Sequence, residues 1–214
     1  MSYELRISQL RVVSKRSGQR VVVELDDGKA LEIDPEIAVR RGLKPGVPIS
    51  DELVERLRCE DESLRARRRL TRYLTLRVKS VADARLYLEK ARFSQAAIGA
   101  AIEAAIERDL LDDRRFAERY VRTKIKTSPI GPLRLLADLL AHGIAPSLAE
   151  EVLAPQFDPK WQRETAELLA SKRRKRKRAS DDKAERKRFG DWLRQRGFED
   201  EVAREVAERA TRKT

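Results

Sequence analysis

Few residues in this 214-residue sequence have types and spacing that could do chemistry: the adjacent carboxylates Asp112 and Asp113, the single histidine His142 and the single cysteine Cys59. A carboxylate pair can hold a divalent metal for nuclease chemistry, but only with further oxygen ligands, and no second acidic cluster supplies them. Both aspartates directly precede a helical stretch, where Asp is a favoured N-cap, so capping is the preferred account. A Ser–His or Cys–His nucleophile would depend on His142, which falls at a helix C-terminus and reads as a capping feature facing the dipole. Cys59 lies in a helical segment and reads as a packed or incidental thiol. A lone cysteine excludes an intrachain disulfide and suits a reducing cytosol. No P-loop, dinucleotide fingerprint or zinc-ligand spacing occurs. The expectation is a non-enzyme with no catalytic residues, no metal site and no cofactor.

What remains is charge. Lys and Arg outnumber Asp and Glu by 48 to 36, a formal +12. Residues 1–60 hold eleven of each sign, so the whole excess falls on residues 61–214. It is clustered there. Residues 65–79 carry Arg65, Arg67, Arg68, Arg69, Arg72, Arg77 and Lys79 with no acid. Residues 114–126 carry Arg114, Arg115, Arg119, Arg122, Lys124 and Lys126 against Glu118 alone. Residues 172–178 are an unbroken run that includes Lys172, Arg173, Arg174, Lys175 and Arg176. Any one cluster can be merely a solvated helix face. Recurrence argues for a basic stripe of the kind a phosphate backbone attracts, and the scarcity of interleaved aromatics argues for backbone contact over base reading.

These residues must be positioned by helices. Residues 1–49 read as a small β-rich module: a strand from about Leu5 to Val13, the β-branched run Val21-Val22-Val23-Glu24-Leu25, an Asp27-Gly28 hairpin signal and a return strand from Lys29 to Ile33. Pro35 can open a short helix ending near Gly42, and Ser50 can cap the next. After Ser50 the pattern is helical. Ser80-Val81-Ala82-Asp83 has capping-box spacing. Ser94 can cap a helix whose Ile98, Ile102 and Ile106 form one apolar stripe. Phe116 and Tyr120, like Phe189, Trp192, Phe198 and Trp161, read as core.

Gly143 and Gly197 each end a helix and are followed by an apolar residue, and Arg92 occupies the corresponding place earlier. Three such junctions at roughly 50-residue spacing predict tandem units. The fold class expected is mainly α: three tandem three-helix repeats forming an elongated body, preceded by a small β-rich N-terminal module. The boundaries expected are 1–49 for that module, 50–64 for a linking helix, then repeats at 65–109, 110–154 and 155–214. No apolar stretch is long enough to span a bilayer and MSYELRISQL lacks a signal-peptide core, so a cytoplasmic protein is expected. With no self-complementary patch evident, a monomer is expected.

Leu111-Asp112-Asp113-Arg114-Arg115-Phe116-Ala117, followed by Gly131-Pro132-Leu133-Arg134-Leu135 and the Gly143-Ile144 break, resembles the RecX family over roughly residues 65–210. The resemblance implies a regulator that lodges along the filament of the RecA recombinase on single-stranded DNA and restrains its ATPase and strand-exchange activity in recombination and repair. It implies that Asp112, Asp113 and Phe116 serve the family's inter-unit cap and core, and that Arg122 and Arg134 belong to its basic second unit. The 172–178 run is more basic than the family pattern. The rival expectation is a sequence-nonspecific nucleic-acid-binding protein that acts without RecA; a nuclease using Asp112 and Asp113 is a more distant one.

Overall fold

Residues 5–15, 18–174 and 183–211 are described by the computed structural model. They fall into two compact units, one built from the N-terminal 77 residues with 85–110, the other from 78–84 with everything after 110.

In the first unit, β1 (Leu5–Lys15), β2 (Gly18–Leu25), β3 (Ala30–Ile33) and β4 (Pro48–Ile49) form an antiparallel sheet in the order β3-β2-β1-β4. The Val-rich run forms one of the two inner strands, where its alternate residues Val21, Val23 and Leu25 are all buried on one face. The Asp27-Gly28 signal is a turn, with the amide of Leu25 donating to the carbonyl of Lys29 at 2.8 Å. Asp34 opens α1 (Pro35–Arg40), its carboxylate accepting from the Glu36 amide at 3.0 Å. Ile7, Val23, Ile33, Ile37, Ile49 and Leu57 are fully buried where the sheet meets α1 and the start of α2 (Asp51–Leu74). Each such side chain contributes about 1.5–3 kcal/mol of burial.

Ser50 caps α2, which runs unbroken past residue 64. The stretches expected as a linking helix and as the first helix of a repeat are thus one element. The alanine-rich α4 (Gln95–Ile106) packs along α2 through Ala97, Ile98, Ala101, Ile102 and Ala105. Ser94 caps α4 and is held to α2, its amide and hydroxyl donating to Glu62 at 2.9 and 2.6 Å. Ile106 does not complete the apolar stripe: it is 46% exposed in the last turn of α4, where Ala105 is the buried residue. Between α3 (Val81–Lys90) and α4, Arg92 sits at φ 61°, the left-handed conformation that Gly143 and Gly197 supply in the later turns.

The second unit takes the first turn of α3 together with α5 (Asp113–Thr127), α6 (Pro132–Ala141), α7 (Pro146–Leu153), a 3-10 turn at Ala154–Gln156, α8 (Pro159–Arg174), α9 (Lys183–Gln195) and α10 (Asp200–Thr211). Helices α5 to α7 enclose Phe116, Val121, Leu135, Leu139, Ile144 and Leu153. Helices α8 to α10 enclose Leu169, Phe189, Leu193, Phe198, Val202 and Val206. Trp161 and Trp192, expected in this core with the two phenylalanines, are only half-buried, and of the two only Trp192 packs against the cluster, at its edge. The chain is mainly α-helical with a small antiparallel sheet at its N-terminus.

Candidate partner-binding faces

The carboxylate pair is the structural key to the second unit. Asp112 is the N-cap of α5, accepting from the Arg115 amide at 3.0 Å. Asp113 turns the other way and accepts from the Val81 amide at the start of α3, at 2.8 Å. Each carboxylate satisfies an otherwise orphaned helix N-terminus. Ser80, fully buried, receives the Asp83 amide at 3.0 Å and donates to the carbonyl of His142 at 2.7 Å. The expected capping box is therefore half formed. Asp83 does not fold back on Ser80 but meets His142 Nδ1 at 3.0 Å, and Asp113 does the capping that the box would have done. His142, whose ring also stands edge-on to Phe116 and Tyr120 at 5.2 Å each, is part of this joint.

The basic residues divide according to what holds them. In the first unit, Arg65 is tied to Asp61 at 2.9 Å, and Arg68 to Asp34 and Glu36. Arg69 lies over the Tyr87 ring, which stacks on Tyr73 with centroids 3.9 Å apart. Arg67 is half-buried, with its Nε unpartnered, and Arg72 is exposed. An interaction that sequence reasoning missed lies beneath them. Arg20 of β2 and Asp61 of α2, both buried, pair through two 2.7 Å hydrogen bonds. The arginine inside a valine-rich strand was the available signal. Its hydrogen bonds to Asp61, in spite of burial, hold the guanidinium pKa above its usual value.

On α5 the cations separate into two faces. Lys124 and Arg134 converge on Asp138 at 3.4 and 3.1 Å, and Tyr120 donates its hydroxyl to the same carboxylate at 2.8 Å. Burial first, then that hydrogen bond, pushes the Tyr120 phenol up, while the Lys124 ammonium is raised chiefly by its contact with Tyr120. Arg114 is likewise committed, forming a two-pronged pair with Glu151 at 2.7 and 2.8 Å. Arg115, Arg119, Arg122 and Lys126 lie opposite the buried Phe116, Ala117 and Val121, and all four are exposed. Their i, i+4, i+7, i+11 spacing keeps them within about 60° of arc over about 17 Å of helix. Arg119, Arg122 and Lys126 have no acidic partner among the described residues.

Of the 172–178 run, Lys172 is exposed and Arg173 lies over Trp192 and Phe189 at 4.9 and 5.4 Å. Arg174 ends α8, and Lys175 and Arg176 lie outside the described residues. Arg196 covers Trp192 at 4.4 Å, so that ring already holds two guanidinium groups. Cys59 is exposed, not packed. Among the described residues no three His, Cys, Asp or Glu side chains gather in a way that could hold a metal ion, and no helix is long and apolar enough to cross a membrane.

Comparison with known proteins bears on these faces. The family model described as the second three-helix domain of RecX matches residues 112–153, the segment of α5 to α7. A protein of Halalkalibacterium halodurans named "Regulatory protein RecX" is 30% identical over 145 residues, 66% of this chain and 54% of that one, so the match spans about half of that relative's length. One of the same name from Listeria monocytogenes is 26% identical over 199 residues, 93% of this chain and 74% of the relative. A crystal structure of regulatory protein RecX shares the fold with a TM-score of 0.73 at 23% identity, covering 95% of this chain and 99% of that one. That of RecX from Lactobacillus salivarius does so with a TM-score of 0.63 at 24% identity, covering 71% and 97%. The matched second domain, relatives that align along nearly the whole sequence and the shared fold make this chain similar to the proteins named RecX.

Proposed function

We propose that this chain is a non-catalytic regulatory protein that binds the RecA recombinase filament on single-stranded DNA and restrains its ATPase and strand-exchange activity. It acts as a monomer in the cytoplasm and needs no cofactor. The observation that carries this reading is the outer face of α5, where Arg119, Arg122 and Lys126 line up with no acidic partner among the described residues, while Arg114, Lys124 and Arg134 are paired with carboxylates of the same chain. Such a face suits a repeating polyanionic surface, either acidic protein or exposed phosphate. A filament offers that surface many times, so modest contacts add through effective concentration. The family supplies the regulatory role, since the aligned relatives are named regulatory proteins.

The test is to titrate the purified protein into RecA on single-stranded DNA and follow ATP hydrolysis and strand exchange. Both should fall, and the double reversal R119E/R122E should shift the midpoint by about tenfold or more. Activities unchanged over a wide concentration range would end the proposal. Binding to bare single strands as tight as to the filament, with a steep salt slope, would instead mark a sequence-nonspecific nucleic-acid-binding protein that works without RecA.

A further inference from the structure

A cavity of about 400 Å³ lies in the first unit, between the β1–β2 hairpin and the middle of α2. Lys15, Gln19 and Arg20 reach it from the sheet, and Arg65, Arg68, Arg69 and Arg72 from α2, with Phe93 as its one aromatic wall. The four α2 arginines stand at i, i+3, i+4 and i+7, the spacing of one helix face. Six cations thus surround the cavity, while the carboxylates that engage them are Glu32, Asp34, Asp61 and Glu36. The excess of positive charge resides on Arg69 and Arg72, neither of which has an acidic partner among the described residues.

The floor of the cavity is built rather than incidental. Asp61 is buried and accepts from both arms of Arg20, from Arg65 Nε and from the Asp34 amide, at 2.7 to 2.9 Å. It fixes Arg20 and Arg65 without leaving a donor-hungry carboxylate exposed. Arg65 is set over the Phe93 ring at 5.9 Å and Arg69 over Tyr87 at 5.3 Å. Guanidinium groups held this way are preorganised to receive phosphate oxygens, and an aromatic wall beside them suits the planar face of a base.

We propose that this cavity binds one nucleotide of a single strand, the phosphodiester against Arg69 and Arg72 and the base against Phe93. The N-terminal module thereby becomes one wall of a nucleic-acid site. This deepens the proposed function by naming a contact with the strand, yet it does not require the recombinase.

The experiment uses the full chain and a fluorescently labelled oligodeoxythymidylate, with anisotropy read over a salt series and ultraviolet cross-links mapped by mass spectrometry. A cross-link is expected on the peptide that contains Phe93. R69A/R72A should weaken binding about tenfold and flatten the salt slope by about 1.4, two phosphate contacts on a single strand. Phe93→Leu should weaken binding several-fold with the slope unchanged. Thermal melts by circular dichroism confirm that the variants fold. Cross-links confined to other peptides, or R69A/R72A with wild-type affinity and slope, overturn the assignment even if RecA is regulated. Conversely, an effect of these variants on strand binding upholds it even if RecA activities are untouched.

Discussion

The amide of Leu133, in the first turn of α6, donates to the carbonyl of Gly197, in the turn between α9 and α10, at 3.0 Å. A second bond runs beside it, from the Gly131 amide to the carbonyl of Arg196 at 2.8 Å. The start of one helix is therefore capped by the backbone of a turn far along the chain. The same joint is made once more, with the α6–α7 turn in the receiving role: the carbonyl of His142 takes the Ser80 hydroxyl at the start of α3, and Gly143 lies against Ala82. In both places a helix N-terminus meets a helix–glycine–helix turn. Backbone can approach backbone there only where side chains are missing, which is why both turns carry glycine.

Gly197→Ala should accordingly be far more damaging than a positive φ alone explains. At φ 84° the added Cβ would lie 2.2 Å from the Arg134 nitrogen and 2.5 Å from Arg134 Cβ. Gly28 has nearly the same φ, 81°, but opens on empty space. Gly28→Ala should cost about 1 kcal/mol and Gly197→Ala about 3 kcal/mol or more. Urea unfolding monitored by circular dichroism measures both, and equal losses would show that the joint is loose in solution.

Ser80→Ala should cost about 1–2 kcal/mol, because it strands the Asp83 amide and the His142 carbonyl in a buried place. Asp112→Ala and Asp113→Ala should each cost about 1 kcal/mol for the loss of one helix cap. If the pair served metal-dependent cleavage instead, nuclease activity would appear with a divalent cation and vanish in Asp112→Asn with little loss of stability.

The local grammar of this fold was legible in the sequence. Ser50 and Ser94 cap the helices they precede, Asp27-Gly28 makes the hairpin turn, and Gly143 and Gly197 adopt left-handed φ at helix ends. These features rest on interactions within a few residues. The candidate faces were less legible. Arg134 meets Asp138 within one helix, four residues on, but that Lys124 and Tyr120 share the carboxylate depends on how α5 and α6 pack. Asp113 capping α3 and Arg20 meeting Asp61 are contacts across 32 and 41 residues, and residue type alone does not choose such partners.

Acid should weaken the first unit through its carboxylates. Glu32 is held below the usual carboxylate range mainly by Lys15, then by Arg20, and Glu60 mainly by Arg41, then by Arg40. A depressed carboxylate contributes stability that is complete above its unfolded pKa, about 4.3, and is lost as pH falls through its folded value. The melting temperature should therefore hold from pH 7 to about 5 and then decline. Glu32→Gln should melt below wild type at pH 7, with the gap closing toward pH 3. A gap that stays constant would mean that Glu32 contributes through shape rather than charge.

The two faces of α5 should separate under mutation. Arg119 and Arg122 are exposed and have no acidic partner among the described residues, so R119A/R122A should leave stability within about 0.5 kcal/mol of wild type. Asp138→Ala should cost about 1–2 kcal/mol, chiefly by abandoning the half-buried Tyr120 hydroxyl, since its partners Lys124 and Arg134 are 38% and 59% exposed and their ion pairs are screened. Affinity for the RecA filament should respond in the opposite sense. It should fall with R119A/R122A and persist in Asp138→Ala, where Lys124 and Arg134 are released and the outer face is intact. Filament binding at rising salt, measured beside urea unfolding for each variant, checks both halves. Were Asp138→Ala to abolish binding while R119A/R122A left it unchanged, the Asp138 cluster and not the outer face of α5 would be the contact.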